Sequence, residues 1–299
     1  MGRKEKFLEF RNKKSNQPSK AIEIALPIIF DYLPPNLNST HIMESIAGAT
    51  GRTETMFIAT ADQVEQLSES QLAYLIPLIS PENIGNSQDW IRKARIIEFT
   101  EYHSSLLKQV REINPEAPIS VRLPVARDSD KVALGLLRAG VDVIHLVADY
   151  HGQGWDKEEP LFVKDLVRSV HGRLVKESLR DEVTLIVSGG ITLAEHVPKA
   201  IICGADLVAI DTTALVALQA QFQGECRFPE TGSIVPEKFD VKWGEQRLVN
   251  LLSPWHDQLI EILSAMGMRD VRRLRGDVGR GMFNEDLERE AFADIVHRA

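Results

Sequence analysis

The feature that most constrains this chain is an alternation. Short apolar and β-branched runs recur between stretches of helical period, almost from one end to the other. Parallel strands joined by crossover helices produce that pattern, because a strand covered on both faces reads as nearly continuous apolar sequence. VDVIHLV at 141–147 and DLVAI at 206–210 are such runs. Eight strand–helix pairs are expected, with strands at Ala21 to Phe30, Met56 to Thr60, Ala73 to Ser80, Ala94 to Thr100, Ile119 to Leu123, Val141 to Val147, Val183 to Val187 and Leu207 to Asp211. Punctuation marks the helices. Ser104 to Ile113 stops before Asn114-Pro115, Asp130 to Arg138 stops at Gly140, and Leu193 to Cys203 stops at Gly204, where a glycine closes a helix without strain. Thr212 to Gln221 and Trp243 to Met266 also read as helices, separated by a long loop from Gly224 to Lys242. The expected fold is α/β, a (β/α)8 TIM barrel over 21–222. A basic tail, 1–20, precedes it, and a loop and helical C-terminal extension packed on the barrel, 223–299, follow it.

Composition narrows the function. The chain has 299 residues, 43% of them hydrophobic, and parallel barrels of ~250 residues form one domain. The formal charge is −8, so no broad basic field exists to draw in a nucleic-acid backbone. Arg3, Lys4, Lys6, Arg11, Lys13, Lys14 and Lys20 face only Glu5 and Glu9, which makes the first twenty residues a local exception. No apolar run approaches the ~18 residues of a membrane span, and the start lacks a signal-peptide core. Lys6 stands where a myristoylation signal would have Ser or Thr. A cytoplasmic protein without a membrane span is expected. Two cysteines, Cys203 and Cys226, exclude a disulfide framework and any all-thiolate metal site built from this chain alone, and no metal site is expected.

Barrels of this kind bind ligands at the C-terminal ends of their strands. After the seventh strand come Ser188, Gly189 and Gly190, where two glycines allow backbone amides to approach a phosphate; a tight turn uses the same residues. After the eighth come Asp211, Thr212 and Thr213, opening a helix whose amides favour an anion, or whose Thr212 simply caps it. The sixth is followed by Tyr150-His151-Gly152-Gln153-Gly154-Trp155, a mixture of glycine, polar and aromatic residues suited to a ligand. His151 is a candidate acid or base there. In the fifth strand, alternation along ISVRL sets Arg122 on one face and Val121 with Leu123 on the other. An inward Arg122 needs an anion, since a buried unpaired guanidinium costs several kcal/mol, and that is the orientation expected.

INPEAPISVRLPV followed by LRAGVDVIHL, then VSGGI, KAIICGADLVAIDTTALVAL and EQRLVNLLSPWHDQLIEILSAMGMRDVRRLRG together resemble the FMN-binding barrel domain of glutamate synthases and their relatives. The likeness is strong from Ile113 onward and loose before it. It implies a flavin held by its phosphate at Gly189, Gly190 and Thr212, flanked by Ser188 and Asp211, with Gly152 and Gly154 beside the isoalloxazine. Arg122 stands where the family has a lysine that stabilises reduced flavin, so Arg122 and His151 are the candidate catalytic residues.

The departures are specific. In the register of the family's three cluster cysteines stand Ala220, Cys226 and Thr231, and one thiolate cannot hold an iron–sulfur cluster, so none is expected. Asp211 replaces a glycine, Thr192 replaces an arginine, and Gly2, not a nucleophilic cysteine, follows Met1. The M-S-F-G, G-E-G-G and Q-G-A-K-P-G loops of the family's first half have no counterpart. Three readings follow. One is an FMN-dependent oxidoreductase or oxidoreductase subunit acting on a small molecule, a 2-oxo or 2-imino acid, with electrons from a protein partner or larger complex. The second is a non-catalytic barrel subunit that has lost flavin chemistry. The third is a barrel acting on a phosphorylated metabolite without flavin.

Overall fold

The computed structural model describes residues 22–34, 37, 39–156, 158–223, 233–234 and 239–278. The expected basic tail, Cys226 and Thr231 lie outside them, as does most of the 224–242 loop.

Eight parallel strands close into a barrel in sequence order. They are β1 (Ile28–Phe30), β2 (Phe57–Ala59), β3 (Leu75–Ile79), β4 (Ile97–Phe99), β5 (Ile119–Pro124), β6 (Val143–Val147), β7 (Thr184–Ser188) and β8 (Leu207–Ile210). β1 meets β8 through Ile28↔Val208 and Phe30↔Ile210, which shuts the ring. Helices α1 (Thr40–Thr53), α2 (Ala61–Val64), α3 (Glu69–Leu72), α4 (Gln88–Lys93), α5 (Ser104–Ile113), α6 (Ser129–Arg138), α7 (Val163–Lys176), α8 (His196–Cys203) and α9 (Thr212–Ala217) fall between or after the strands. The last residue of the helix expected over Thr212 to Gln221 instead joins Phe222 in β9 (Gln221–Phe222), paired antiparallel with β10 (Ser233–Ile234). The expected loop thus contributes Ser233–Ile234 to a short ladder.

The first strand is shorter than its apolar run. Ile22, Ile24 and Leu26 are buried in the core, yet only Ile28–Phe30 enters the ladder. Pro27 explains the boundary: it has no N–H to give a neighbour, and only its carbonyl is used, by Val208 N at 3.0 Å. Helix α10 (Val241–Ala265) begins where Asp240 accepts from Trp243 N at 2.8 Å and buries Leu248, Leu252, Trp255, Leu259 and Leu263. It runs against α1, where Ser45 Oγ donates to Val241 O at 3.1 Å and Arg52 meets Glu245 at 3.1 Å. Small residues permit that approach: a Cβ at Gly244 would lie 2.4 Å from Ser45 Oγ. Among the described residues, no helix is long and apolar enough to cross a membrane.

Candidate functional site

Four charged or ionisable side chains meet inside the C-terminal half of the barrel. Asp31 follows β1, Glu98 sits within β4, Arg122 within β5 and His145 within β6. Arg122 does face inward. Its Nη1 donates to Asp31 Oδ1 at 2.6 Å and to Glu98 Oε1 at 2.9 Å, and its Nη2 to Asp31 Oδ2 at 3.3 Å. His145 is the register partner of Arg122 across the β5–β6 ladder. Its Nδ1 lies 3.1 Å from both oxygens of Glu98, while its Nε2 lies 3.0 Å from Ser188 Oγ at the end of β7. Ser120 Oγ completes Glu98 at 2.7 Å.

Electrostatics hold the group together. Burial alone would raise the carboxyl pKa of Asp31, but Arg122 and His145, with Tyr32 N donating, bring it down to about 2. Burial likewise works against the Glu98 charge, and His145 and then Arg122 outweigh it, so its pKa is lowered. The Arg122 guanidinium is raised above its ordinary range because two carboxylates overcome its desolvation. Ligand atoms of Asp31, Glu98 and His145 lie within 4.8 Å of one another, a spacing that suits a metal ion. The cation between the two carboxylates in this structure is Arg122, whose exposure of 15% makes it the most open of the four.

The two glycine loops meet beside this cluster. Asp149 Oδ1 accepts from His151 N and Gln153 N, at 3.0 and 2.7 Å, and so folds the loop after β6. Gly189 and Gly190, with φ of +89° and +71°, press against it. A Cβ on Gly189 would lie 2.4 Å from Ala148 O, and one on Gly190 2.7 Å from Gly152 Cα. Gly154 is equally confined, since a Cβ there would lie 2.9 Å from Val125 O and from Leu166 Cδ1. His151 is exposed on this loop and does not join the cluster. The histidine at the barrel centre is His145, which the sequence hid inside an apolar run.

At β8 the carboxylate of Asp211 accepts from the backbone and hydroxyl of Thr212, capping α9. Burial, then the nearby Asp31, pushes its pKa up to about 6. Thr213 Oγ1 ties α9 to the β7 loop through Ile191 O at 2.9 Å. The residues expected at the rim, Arg122, Gly152, Gly154, Ser188, Gly189, Gly190, Asp211 and Thr212, therefore occupy the C-terminal ends of β5 to β8 or the loops that follow them.

Comparison with known proteins bears on this geometry. Residues 92–269 match the conserved region in glutamate synthase. The archaeal glutamate synthase [NADPH] of Archaeoglobus fulgidus is 31% identical over 210 residues, covering 63% of this chain and 40% of that protein. Its counterpart in Methanocaldococcus jannaschii is 28% identical over 208 residues, covering 62% and 40%. The chain thus spans about 40% of the length of these relatives. Among solved structures, a mutant flavocytochrome b2 with pyruvate bound superposes with a TM-score of 0.63 at 11% identity, over 96% of this chain and 78% of that one. A mandelate oxidase mutant with the monooxide FMN adduct gives 0.61 at 16%, over 85% and 79%. These two share the fold. The match over 92–269 covers more than half of the chain and includes β5 to β8 with their loops, and by it this chain belongs to the family defined by the conserved region of glutamate synthase.

Proposed function

We propose that this barrel is an FMN-binding oxidoreductase, or oxidoreductase subunit, of the glutamate-synthase kind, acting on a 2-oxo or 2-imino acid. The observation that carries the reading is Arg122: a guanidinium drawn inside an apolar barrel, on the same rim as the glycine loops after β6 and β7, within the segment matched to glutamate synthase. Gly189, Gly190 and Thr212 would hold the flavin phosphate, Gly152 and Gly154 the edge of the ring, and bound FMN would supply hydride chemistry. Arg122 keeps a fixed positive charge at the barrel centre. His145, with Glu98 on one ring nitrogen and Ser188 on the other, is able to hold and pass a proton.

One residue on the rim opposes an anion. Above a pH of about 6 Asp211 is ionised at the start of α9, which weakens any phosphate there. FMN uptake therefore strengthens as pH falls toward 6. Electrons come from a separate protein in the cytoplasm, in keeping with Ala220 and Thr231 in the register of cluster cysteines.

A second reading has its own support. The Asp31–Glu98–Arg122–His145 group is internally compensated, as a core network is in a barrel serving only as a subunit of a larger complex. An absorption spectrum of the purified protein between about 300 and 550 nm, repeated after incubation with FMN, separates the two. Flavin bands support the oxidoreductase. A colourless protein that takes up no FMN overturns the oxidoreductase.

A further inference from the structure

Outside the barrel, between α7 and α8, lies a cavity of about 290 Å³ of which the flavin reading uses only Gly190, at its edge. Val187 of β7 forms part of its floor, together with Val167, Ala200 and Cys203. The mouth is different in character. Lys164, His196 and Lys199 line it, and Phe162, 41% exposed, stands at the edge.

Among the described residues, no acidic side chain lines the cavity. Glu195 bonds Lys199 at 2.7 Å, but both partners are close to half exposed, and such a surface pair exchanges readily for another anion. His196 Nδ1 lies 3.2 Å from Thr192 N and 3.1 Å from Gly190 O, which ties the ring to the loop after β7, and burial keeps its pKa lowered. An apolar floor of this size beneath two ammonium groups selects a particular chemistry. We propose that the cavity binds a small amphiphilic carboxylate, with its apolar body on Val167, Val187 and Ala200 and its anionic head at Lys164 and Lys199.

The site is linked to the barrel rim. Gly190 lines the cavity and also abuts Gly152, while the Phe162 ring lies 3.0 Å from the Cβ position of Gly152. A molecule seated there touches the supports of both glycine loops, so its binding couples to whatever the rim holds.

Calorimetric titration of the full chain with octanoate, 1-octanol and octylamine tests this. Octanoate is expected to bind saturably at one site, octanol more weakly and octylamine not at all. Replacing Lys164 and Lys199 together by Gln should weaken octanoate about tenfold and leave octanol unchanged. Filling the floor with Ala200→Trp, or with Val167→Phe where the first variant does not fold, should abolish binding. In a Cys226→Ser background, octanoate should slow the reaction of Cys203 with a thiol reagent. Equal binding of octylamine, no saturable binding, or undiminished binding by a filled variant that melts like the parent overturns the proposal. Each of these outcomes stands apart from flavin uptake.

Discussion

The barrel carries a buried charge cluster at each end, and the two are built differently. At the N-terminal end Asp206, just before β8, accepts from Arg180 and Leu185 N, each at 2.8 Å, and from Arg275 at 2.8 Å. Arg180 is itself pinned to the carbonyls of Val183 and Gly204 at 2.8 and 2.7 Å. Three backbone groups thus brace Arg180 and Asp206, while Arg275, paired with Asp206 and Asp181, anchors the turn Val271–Leu274 to the barrel. In the Asp31–Arg122 cluster at the other end, one backbone contact, Tyr32 N to Asp31, stands among side-chain pairs. Side-chain pairs can rearrange when a ligand arrives; a guanidinium tied to carbonyls cannot without unfolding its surroundings. The contrast matches the division of labour in such barrels, stability below and chemistry above.

The sharpest way to break this comparison is Asp206→Ala. It leaves Arg180 buried without its anion, and a loss of about 3–5 kcal/mol is expected in urea denaturation, with flavin uptake by the folded fraction unchanged. A loss below about 1 kcal/mol would make the lower cluster dispensable. Arg122→Leu strands Asp31 and Glu98 and should cost about 2–4 kcal/mol while also abolishing FMN binding. Arg122→Lys should restore most of the binding. If both variants bind FMN as the parent does, the upper cluster is structural as well.

A smaller effect separates two carboxylates of the same rim by pH. Asp31 has a folded pKa of about 2, below the ordinary 3.8, so its contribution is present above pH 3.8 and lost as pH falls toward 2. Asp211, at about 6, lies above 3.8, so its ionisation costs stability above pH 6, and the cost disappears as pH falls toward 3.8. Asp211→Asn should therefore stabilise the protein by about 2 kcal/mol at alkaline pH and change little near pH 4, as measured by denaturation across that range. A flat difference between parent and variant would remove the burial argument. Smallest of all, Lys199→Gln should alter stability by less than about 0.5 kcal/mol, because its partner Glu195 is solvated.

Much of this was legible in the residues. The eight strands, the barrel and the inward Arg122 follow from apolar runs and from one charge that had no business in them. The same signal lay in Glu98, within IEF, and in His145, within VIHLV. It went unread because each looks odd alone and makes sense only as a partner, and partners 24 or 91 residues apart become neighbours only when the ring closes. Asp31 was harder still, since an acid directly after a strand is ordinary. The β1 boundary at Pro27 was visible in principle, as a missing donor inside an apolar stretch.

Closure of the ring also sets a clock. The seam joins β1 to β8, whose paired residues stand about 180 positions apart, and α10, made later still, covers α1. At ~5–20 residues per second of synthesis, the open edge of β1 waits roughly 10 to 35 seconds for its mate. During that interval a newborn chain carries an unpaired apolar strand, and its yield in a cell depends on what shields that edge until the last strand emerges.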